Sequence, residues 1–143
     1  MTATSTETRT VVVEREMSHP SEKLWRALTQ PHLIAEWLMK NDFAPVVGHR
    51  FNLTGDWGGV LDCEVLVAEP NSKLSYTWDH VHDDSAYNLK SVVTITLTPT
   101  ATGTHLRMEQ TGFLPGQKQA FHGAHHGWNA FLEKLDAVVT ASP

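Results

Sequence analysis

Among the residue types that could do chemistry, histidine stands out because nine occur in 143 residues. Two groups are close in sequence, namely His80, His82 and Asp83, and then His122, His125 and His126. On a helix His122 and His126 lie one turn apart near Glu133, and an i, i+4 histidine pair is a spacing found in zinc sites. The usual His-Glu-x-x-His arrangement is absent, so we interpret the pair as part of a solvated helix face and predict no metal site.

His125 differs from its neighbours because it lies beside Phe121, Trp128 and Leu132, at the edge of an apolar helix stripe. Two interpretations stay open for it. It is either an edge histidine with ordinary partners or one polar contact inside a cavity. The first histidine group falls in a predicted polar loop, where a metal can bind adventitiously but no dedicated site is indicated.

The sequence carries no recognisable catalytic motif. It contains no GxGxxG, GxSxG or Walker sequence and no pair of carboxylates with a clear common face. The single cysteine, Cys63, excludes an intrachain disulfide and a multi-cysteine metal site, and we expect it to be a small buried hydrophobe. We therefore predict no cofactor and leave open whether the protein is an enzyme.

A long helix over residues 117–140 must position the second histidine group. Its apolar residues recur at spacings of three, four and seven, which indicates an amphipathic helix. They are Phe121, Ala124, Trp128, Phe131, Leu132, Leu135, Val138 and Val139. Gly123 and Gly127, placed off the centre of this stripe, each cost about 1 kcal/mol relative to alanine in a helix. Either a neighbouring backbone approaches them closely, or this part of the helix is mobile and suits a cavity mouth.

Short alternating segments upstream of that helix predict an antiparallel sheet of about six strands. The first strand, over residues 10–17, is followed by two short helices over 18–28 and 32–38, with Ser18 as the N-cap of the first. The remaining strands are predicted over residues 50–54, 59–68, 73–79, 89–99 and 104–111. This order predicts an α+β fold in which one curved sheet is covered by the long helix.

Alternation with a period of two assigns an inward face to each strand. The predicted inward residues are Leu74, Tyr76 and Trp78, then Val93, Ile95 and Leu97, then Leu106, Met108 and Gln110. Threonines and charged residues alternate with them on the outer face. The sheet therefore has one apolar face, which only the long helix is large enough to cover.

Charge and composition limit the classes of partner. Eleven Lys and Arg stand against 16 Asp and Glu, and the basic residues are scattered singly, which argues against nucleic acid and an anionic membrane surface. No apolar window approaches the roughly 20 residues of a transmembrane helix, and the first ten residues lack a secretory apolar region. We expect a cytoplasmic protein with a disordered tail over residues 1–8 and a single domain over 9–143.

Several segments together resemble one known family. The opening contains Pro20, the pair Leu24-Trp25, the break Thr29-Gln30-Pro31, and Trp37. Later matches are residues 47–51, 69–70, 73–78, 91–97 and 103–106, and the pairs Gly112-Phe113 and Gly127-Trp128. Over residues 10–139 the chain resembles the activator of heat-shock-protein-90 ATPase homologue family, within the START-like, helix-grip superfamily (SRPBCC). His49 and Cys63 depart from the pattern, because glycine is common at both places.

The resemblance implies a long C-terminal helix gripped by the curved sheet, often around a hydrophobic cavity. Relatives bind lipids, sterols, hormones or polyketides there, and a few use the cavity as an enzyme site. We therefore predict binding of a small hydrophobic molecule, lipid-like or aromatic, between sheet and helix. The wall residues we expect are Trp37, Phe51, Leu53, Tyr76, Trp78, Ile95, Met108, Phe121, His125 and Trp128.

Two alternative functions stay open. A cyclase- or hydratase-type enzyme would use His125 or Tyr76 as an acid or base in the same cavity. A co-chaperone-like interaction domain would have a filled core and an exposed patch, with a chaperone as partner. Eukaryotic activators carry a further N-terminal domain that makes much of the chaperone contact, and its absence from this sequence weighs against that role. A homodimer is also compatible with the sequence.

Overall fold

The computed structural model describes residues 8–55, 58–80 and 89–142. The elements in these ranges are β1 (Arg9–Met17), α1 (Ser21–Thr29), α2 (Pro31–Trp37), β2 (Lys40–Asn41), β3 (Arg50–Thr54), β4 (Val60–Glu69), β5 (Lys73–His80), β6 (Leu89–Pro99), β7 (Thr104–Phe113) and α3 (Lys118–Ala141). All seven strands form one antiparallel sheet in the order β1-β7-β6-β5-β4-β3-β2. The predicted α+β helix-grip fold is confirmed. Residues 1–7 of the predicted tail, and the loop residues His82 and Asp83, lie outside the described ranges.

The first helix begins later than the sequence predicts. It starts at Ser21, and Pro20 rather than Ser18 occupies the N-cap position, without a side-chain cap. The extended backbone of Pro20 turns its carbonyl into the helix, where it accepts hydrogen bonds from the N–H groups of Lys23 and Leu24 at 3.1 and 3.2 Å. Proline is well suited to a helix start because its φ is fixed and its missing N–H is not needed there.

The sheet has one strand more than the sequence predicts. Strand β2 consists only of Lys40 and Asn41, paired with Thr54 and Leu53 at the edge of the sheet. Two residues are too few to display a period of two, so no pattern in the sequence marks this strand.

Gly112 allows the last strand to continue to Phe113. The pairing of β1 with β7 shifts register here, since Arg9 lies opposite Phe113 while Thr10 lies opposite Thr111. Gly112 has a φ of +117°, and a Cβ at this position would lie 2.4 Å from the carbonyl oxygen of Lys90. Only glycine fits such a bulge, which bends the strand and turns the fully buried Phe113 onto the inner face.

The core lies between the inner face of the sheet and α3. All nine inward residues predicted on β5, β6 and β7 are buried, which confirms the alternation. The helix contributes its own apolar stripe of buried residues: Trp128, Leu132, Leu135 and Val139. Trp37 from α2 fills the adjoining space; its indole N–H donates to the carbonyl of Ala27 at 2.8 Å, and its ring centroid lies 6.5 Å from that of Trp128.

The two halves of α3 pack differently. The C-terminal half is buried along its stripe and is tied to the start of the chain through Asp136, which accepts a hydrogen bond from Arg15 and lies 2.8 Å from Nε2 of His19. In the N-terminal half, by contrast, none of residues 118–127 is buried. The helix is therefore anchored at one end, while the other end spans the sheet without filling the space beneath it.

Candidate functional site

An open pocket of about 340 Å³ lies beneath the N-terminal half of α3. The helix contributes Ala120, Gly123, Ala124, Gly127, Trp128 and Phe131 to its wall. The sheet contributes Leu61, Trp78, His80, Leu89 and Gln110, and Met39 adds a side chain from the segment after α2. Most of these residues are apolar, so the pocket is suited to an apolar guest.

The helix side of this wall is hollow because its side chains are missing or small. A Cβ built on Gly123 or Gly127 would meet no atom within 4 Å apart from the helix's own backbone. Close approach of a neighbouring backbone, one of the two expected reasons for these glycines, is therefore excluded. As expected, they lie off the centre of the buried stripe of Trp128, Leu132, Leu135 and Val139. Both glycines line the pocket together with Ala120 and Ala124. Ordinary side chains at these positions would project into the space that the pocket occupies.

Two buried tryptophans, Trp78 and Trp128, line the pocket and form what we call its end wall. The rings of Trp78 and Trp128 have centroids 5.3 Å apart and are tilted by 52°. Phe131 meets Trp128 edge-on, with centroids 5.6 Å apart. Contacts of this kind hold aromatic side chains in fixed orientations, so the end wall is rigid.

One buried polar side chain, Gln110, interrupts the apolar wall. It is only 1% exposed. Its Oε1 accepts a hydrogen bond from Nε1 of Trp128 at 2.9 Å, and its Nε2 donates to Oγ of Ser91 at 3.0 Å. Ser91 in turn donates to the carbonyl oxygen of Trp78 at 2.6 Å. These bonds join both pocket tryptophans to the same amide, which fixes the polar group and the end wall together.

The structure brings two of the ten predicted wall residues, Trp78 and Trp128, to the pocket. Six others lie in the packed core, are at most 3% exposed and do not line the pocket: Trp37, Phe51, Leu53, Tyr76, Ile95 and Met108. Phe121 is half-buried and packs edge-on against Phe113 at 5.7 Å. His125 is exposed and does not line the pocket, because the helix turns its position away from the sheet.

Sequence reasoning missed most of the actual lining. Gln110 was placed on the inward face but not in the site, and the small residues of α3 were assigned to the helix without a role in the wall. The signal was present in both cases. A glutamine at an inward strand position needs a buried polar partner, and consecutive small residues on a helix stripe leave room.

The titratable groups considered for chemistry either lie away from the pocket or have a pKa that burial raises. Burial raises the pKa of Tyr76 well above its usual range, and the ring packs edge-on against Phe43 and Phe51 instead of lining the pocket. Burial, with the charge of Asp79 second, raises the pKa of Cys63 to about 12. His80 lines the pocket, and within the described lining it is the one residue with an ionisable side chain.

The remaining histidines do not form a metal site in the described part of the chain. His122 and His126 are both exposed on α3, as expected for a solvated face. Among the described residues no group of three or more His, Cys, Asp or Glu side chains is arranged to hold a metal ion. Within the same residues, no helix is long and apolar enough to cross a membrane.

Comparison with known proteins assigns the family. A family model described as "Activator of Hsp90 ATPase homolog 1-like protein" matches residues 18–140. The chain belongs to this family. A search of curated proteins returned no match. The helix-grip architecture described above is the fold that the family shares with START-like proteins, so fold and family agree.

Solved structures of several relatives have the same fold. The Mesorhizobium loti protein MLL2253, solved by crystallography, is 68% identical in sequence to this chain. The two structures match with a TM-score of 0.92 over 94% of this chain and 99% of that one. The solution structure of Bacillus halodurans BH1534 is 25% identical, with a TM-score of 0.76 over 92% and 96% of the two chains. DynU16, from the dynemicin biosynthetic locus, is 23% identical with a TM-score of 0.80; the match covers 92% of this chain and 47% of DynU16. The last likeness shows the fold alone.

Proposed function

We propose that this protein binds a small, largely apolar molecule in the pocket beneath the N-terminal half of α3. The observation that carries the proposal is the paired absence of side chains at Gly123 and Gly127, opposite the rigid wall of Trp78 and Trp128. Two helix-interior glycines with open space around them disfavour the helix by about 1 kcal/mol each. A ligand that occupies the space explains why such a cost is kept.

The size of the pocket sets the size of the guest. An apolar cavity of about 150 Å³ is sufficient for benzene. A pocket of about 340 Å³ therefore suits a molecule of roughly two rings, or a compact branched chain of similar volume. Burial of its apolar surface at about 25 cal/mol per Å² supplies the driving force for binding.

The pocket supports binding better than it supports the enzyme alternative. That alternative relied on His125 and Tyr76, and neither residue lines the pocket. Burial also raises the pKa of Tyr76, so its phenol is a weaker acid and its basic phenolate form is not populated near neutral pH. The co-chaperone alternative rests on the description of the family alone.

The test combines detection of a resident molecule with a search for stabilising compounds. Native mass spectrometry of the purified protein would reveal a molecule that co-purifies, and thermal unfolding would be followed with neutral one-, two- and three-ring compounds. A ligand at 100 times its Kd stabilises the folded state by about 2.7 kcal/mol, which raises the Tm by roughly 5–10 °C in a chain of this size. We expect the two-ring compounds to give the largest shift.

A matched pair of variants locates the binding to this pocket. Gly127→Leu places a side chain into the pocket, whereas Ala130→Leu adds the same side chain at an exposed position of α3 that does not line it. Ligand-induced stabilisation should disappear in the first variant and persist in the second. The proposal is wrong if no compound and no resident molecule binds, or if Gly127→Leu binds as well as the unaltered protein.

A further inference from the structure

The direction of every hydrogen bond in the pocket's polar chain is fixed by chemistry. The indole Nε1–H of Trp128 can only donate, so the atom of Gln110 that faces it must be the carbonyl oxygen. The amide nitrogen therefore faces Ser91 and donates to its hydroxyl oxygen, which is free to accept because its own proton is given to the Trp78 carbonyl. The orientation of this amide is thus determined by its neighbours and is not arbitrary.

This arrangement leaves one donor of Gln110 uncommitted. A glutamine amide has two N–H groups, of which Ser91 accepts one. Among the residues that the structure describes, none accepts the other, although the side chain is only 1% exposed and lines the pocket. The Oε1 of Gln110 already accepts one hydrogen bond, which is enough for a buried carbonyl oxygen. A buried N–H without any acceptor is less well tolerated. The unmet requirement in the wall is therefore for an acceptor.

We infer that the pocket is selective for an uncharged ligand bearing a hydrogen-bond acceptor oxygen, such as a ketone carbonyl, that receives the second Nε2–H of Gln110. This inference rests on the proposed function and adds the chemistry of the ligand's polar group. Trp128 acts as a positioning residue for this selectivity, because its N–H holds the amide in the donating orientation. The apolar remainder of the ligand packs between the two glycines and the tryptophan wall.

The same wall disfavours an anionic ligand. Among the described residues that line the pocket there is no Lys or Arg, and His80 is the one side chain that can carry a positive charge. A carboxylate taken out of water without a cationic partner is strongly disfavoured. A neutral ketone satisfies the Gln110 donor without that penalty. Free fatty acids and other carboxylates of similar size should therefore bind more weakly than neutral analogues.

The test uses three probes of one shape. They are 2-acetylnaphthalene, its isostere 2-isopropenylnaphthalene, in which a methylene group replaces the carbonyl oxygen, and the anion 2-naphthoate. Affinities for the wild-type protein and for Gln110→Met would be measured by titration of tryptophan fluorescence. The ratio of the two neutral affinities, compared between the proteins, cancels the difference in hydration of the probes. We expect the wild-type ratio to favour the ketone about fivefold more than the Gln110→Met ratio does, as one neutral hydrogen bond would give.

The outcomes separate this inference from the function on which it rests. Equal ratios in the two proteins, with both neutral probes bound, would overturn the inference and leave apolar binding intact. Tighter binding of 2-naphthoate than of the ketone would also overturn it, because His80 and not Gln110 would then set the selectivity. No binding of any probe to the wild-type protein would count against the proposed function itself.

A second measurement needs no change at Gln110. In nitrogen-15 spectra of the wild-type protein, one of the two side-chain amide protons of Gln110 should move downfield with the ketone and stay in place with the isopropenyl isostere. In Trp128→Phe the amide loses the donor that orients it, so the preference for the ketone should weaken even if the apolar affinity is kept. An amide signal that responds identically to both neutral probes would contradict the inference whether or not the variants fold.

Discussion

Replacement of Gly123 and Gly127 by alanine should raise the stability of the protein and weaken its ligand binding. Each substitution removes a poor helix former from the interior of α3, which stabilises the helix by about 1 kcal/mol. No clash offsets this gain, because a Cβ at either position meets no atom within 4 Å outside the helix backbone. Each methyl group would, however, lie in the volume that a ligand fills.

The two effects have opposite signs and can be measured separately. The double variant should gain about 2 kcal/mol in the free energy of unfolding, or roughly 4–7 °C in Tm for a chain of this length. Its affinity for a two-ring ligand should fall by about 5- to 150-fold, since fitting extra methyl groups into a filled site typically costs about 1–3 kcal/mol. Chemical denaturation gives the first quantity, and fluorescence titration of the pocket tryptophans gives the second.

Gly116→Ala is the matched control for this experiment. Gly116 also has open space around it, but it precedes α3 and does not line the pocket, so neither helix stability nor binding should change substantially. Higher stability with unaltered affinity would show that the ligand does not occupy this pocket. Lower stability in the double variant would show that the space beside these glycines is not open, and the reasoning from their geometry would fail.

Two further predictions concern groups outside the pocket. Because burial raises the pKa of the Cys63 thiol to about 12, the folded protein near pH 8 should resist a thiol reagent that labels the unfolded chain at once, and rapid labelling of the folded state would contradict the assigned burial. The pKa of His105 is raised because its charged ring donates hydrogen bonds to the carboxylates of Glu14 and Glu16. Its stabilising contribution is therefore complete below pH about 6.5 and is lost as the pH rises through the raised pKa. Unfolding measured across this window should show a loss of stability that His105→Gln lacks, and equal slopes in both proteins would refute the assignment.

The fold was largely predictable because its signals are periodic. Strand β6 alternates without interruption, and both its limits and its inward residues Val93, Ile95 and Leu97 are as predicted. The predicted strands differ from the observed ones where a local feature interrupts the alternation of apolar and polar residues. Strand β2 is too short to show any alternation, and the strand predicted over residues 104–111 continues through a bulge at Gly112 to Phe113. A glycine near the end of a predicted strand is compatible with a strand end and with a bulge, and only the pairing with the partner strand distinguishes the two.

The candidate site was less predictable because the hydrophobic period shows which face of an element a residue occupies but not which residues surround it. Ile95 and Met108 are on the inner face as expected, yet both are fully buried in the packed core and neither lines the pocket. Whether an inward side chain is packed or lines a pocket depends on the size of the residues opposite it, and that pairing is set by the relative placement of helix and sheet. The type of residue alone, even tryptophan, does not reveal it.

Trp128 marks the division between the packed and the hollow parts of this interface. C-terminal to it the helix stripe carries large side chains, and N-terminal to it the lining positions carry glycine and alanine. Its ring contacts Trp37 in the core and Trp78 in the pocket wall, and its N–H orients Gln110. A substitution of Trp128 therefore perturbs the core and the pocket together, so the stability of the protein and its total binding affinity should fall together. The glycines, where stability and binding should move in opposite directions, are the positions at which the two can be separated.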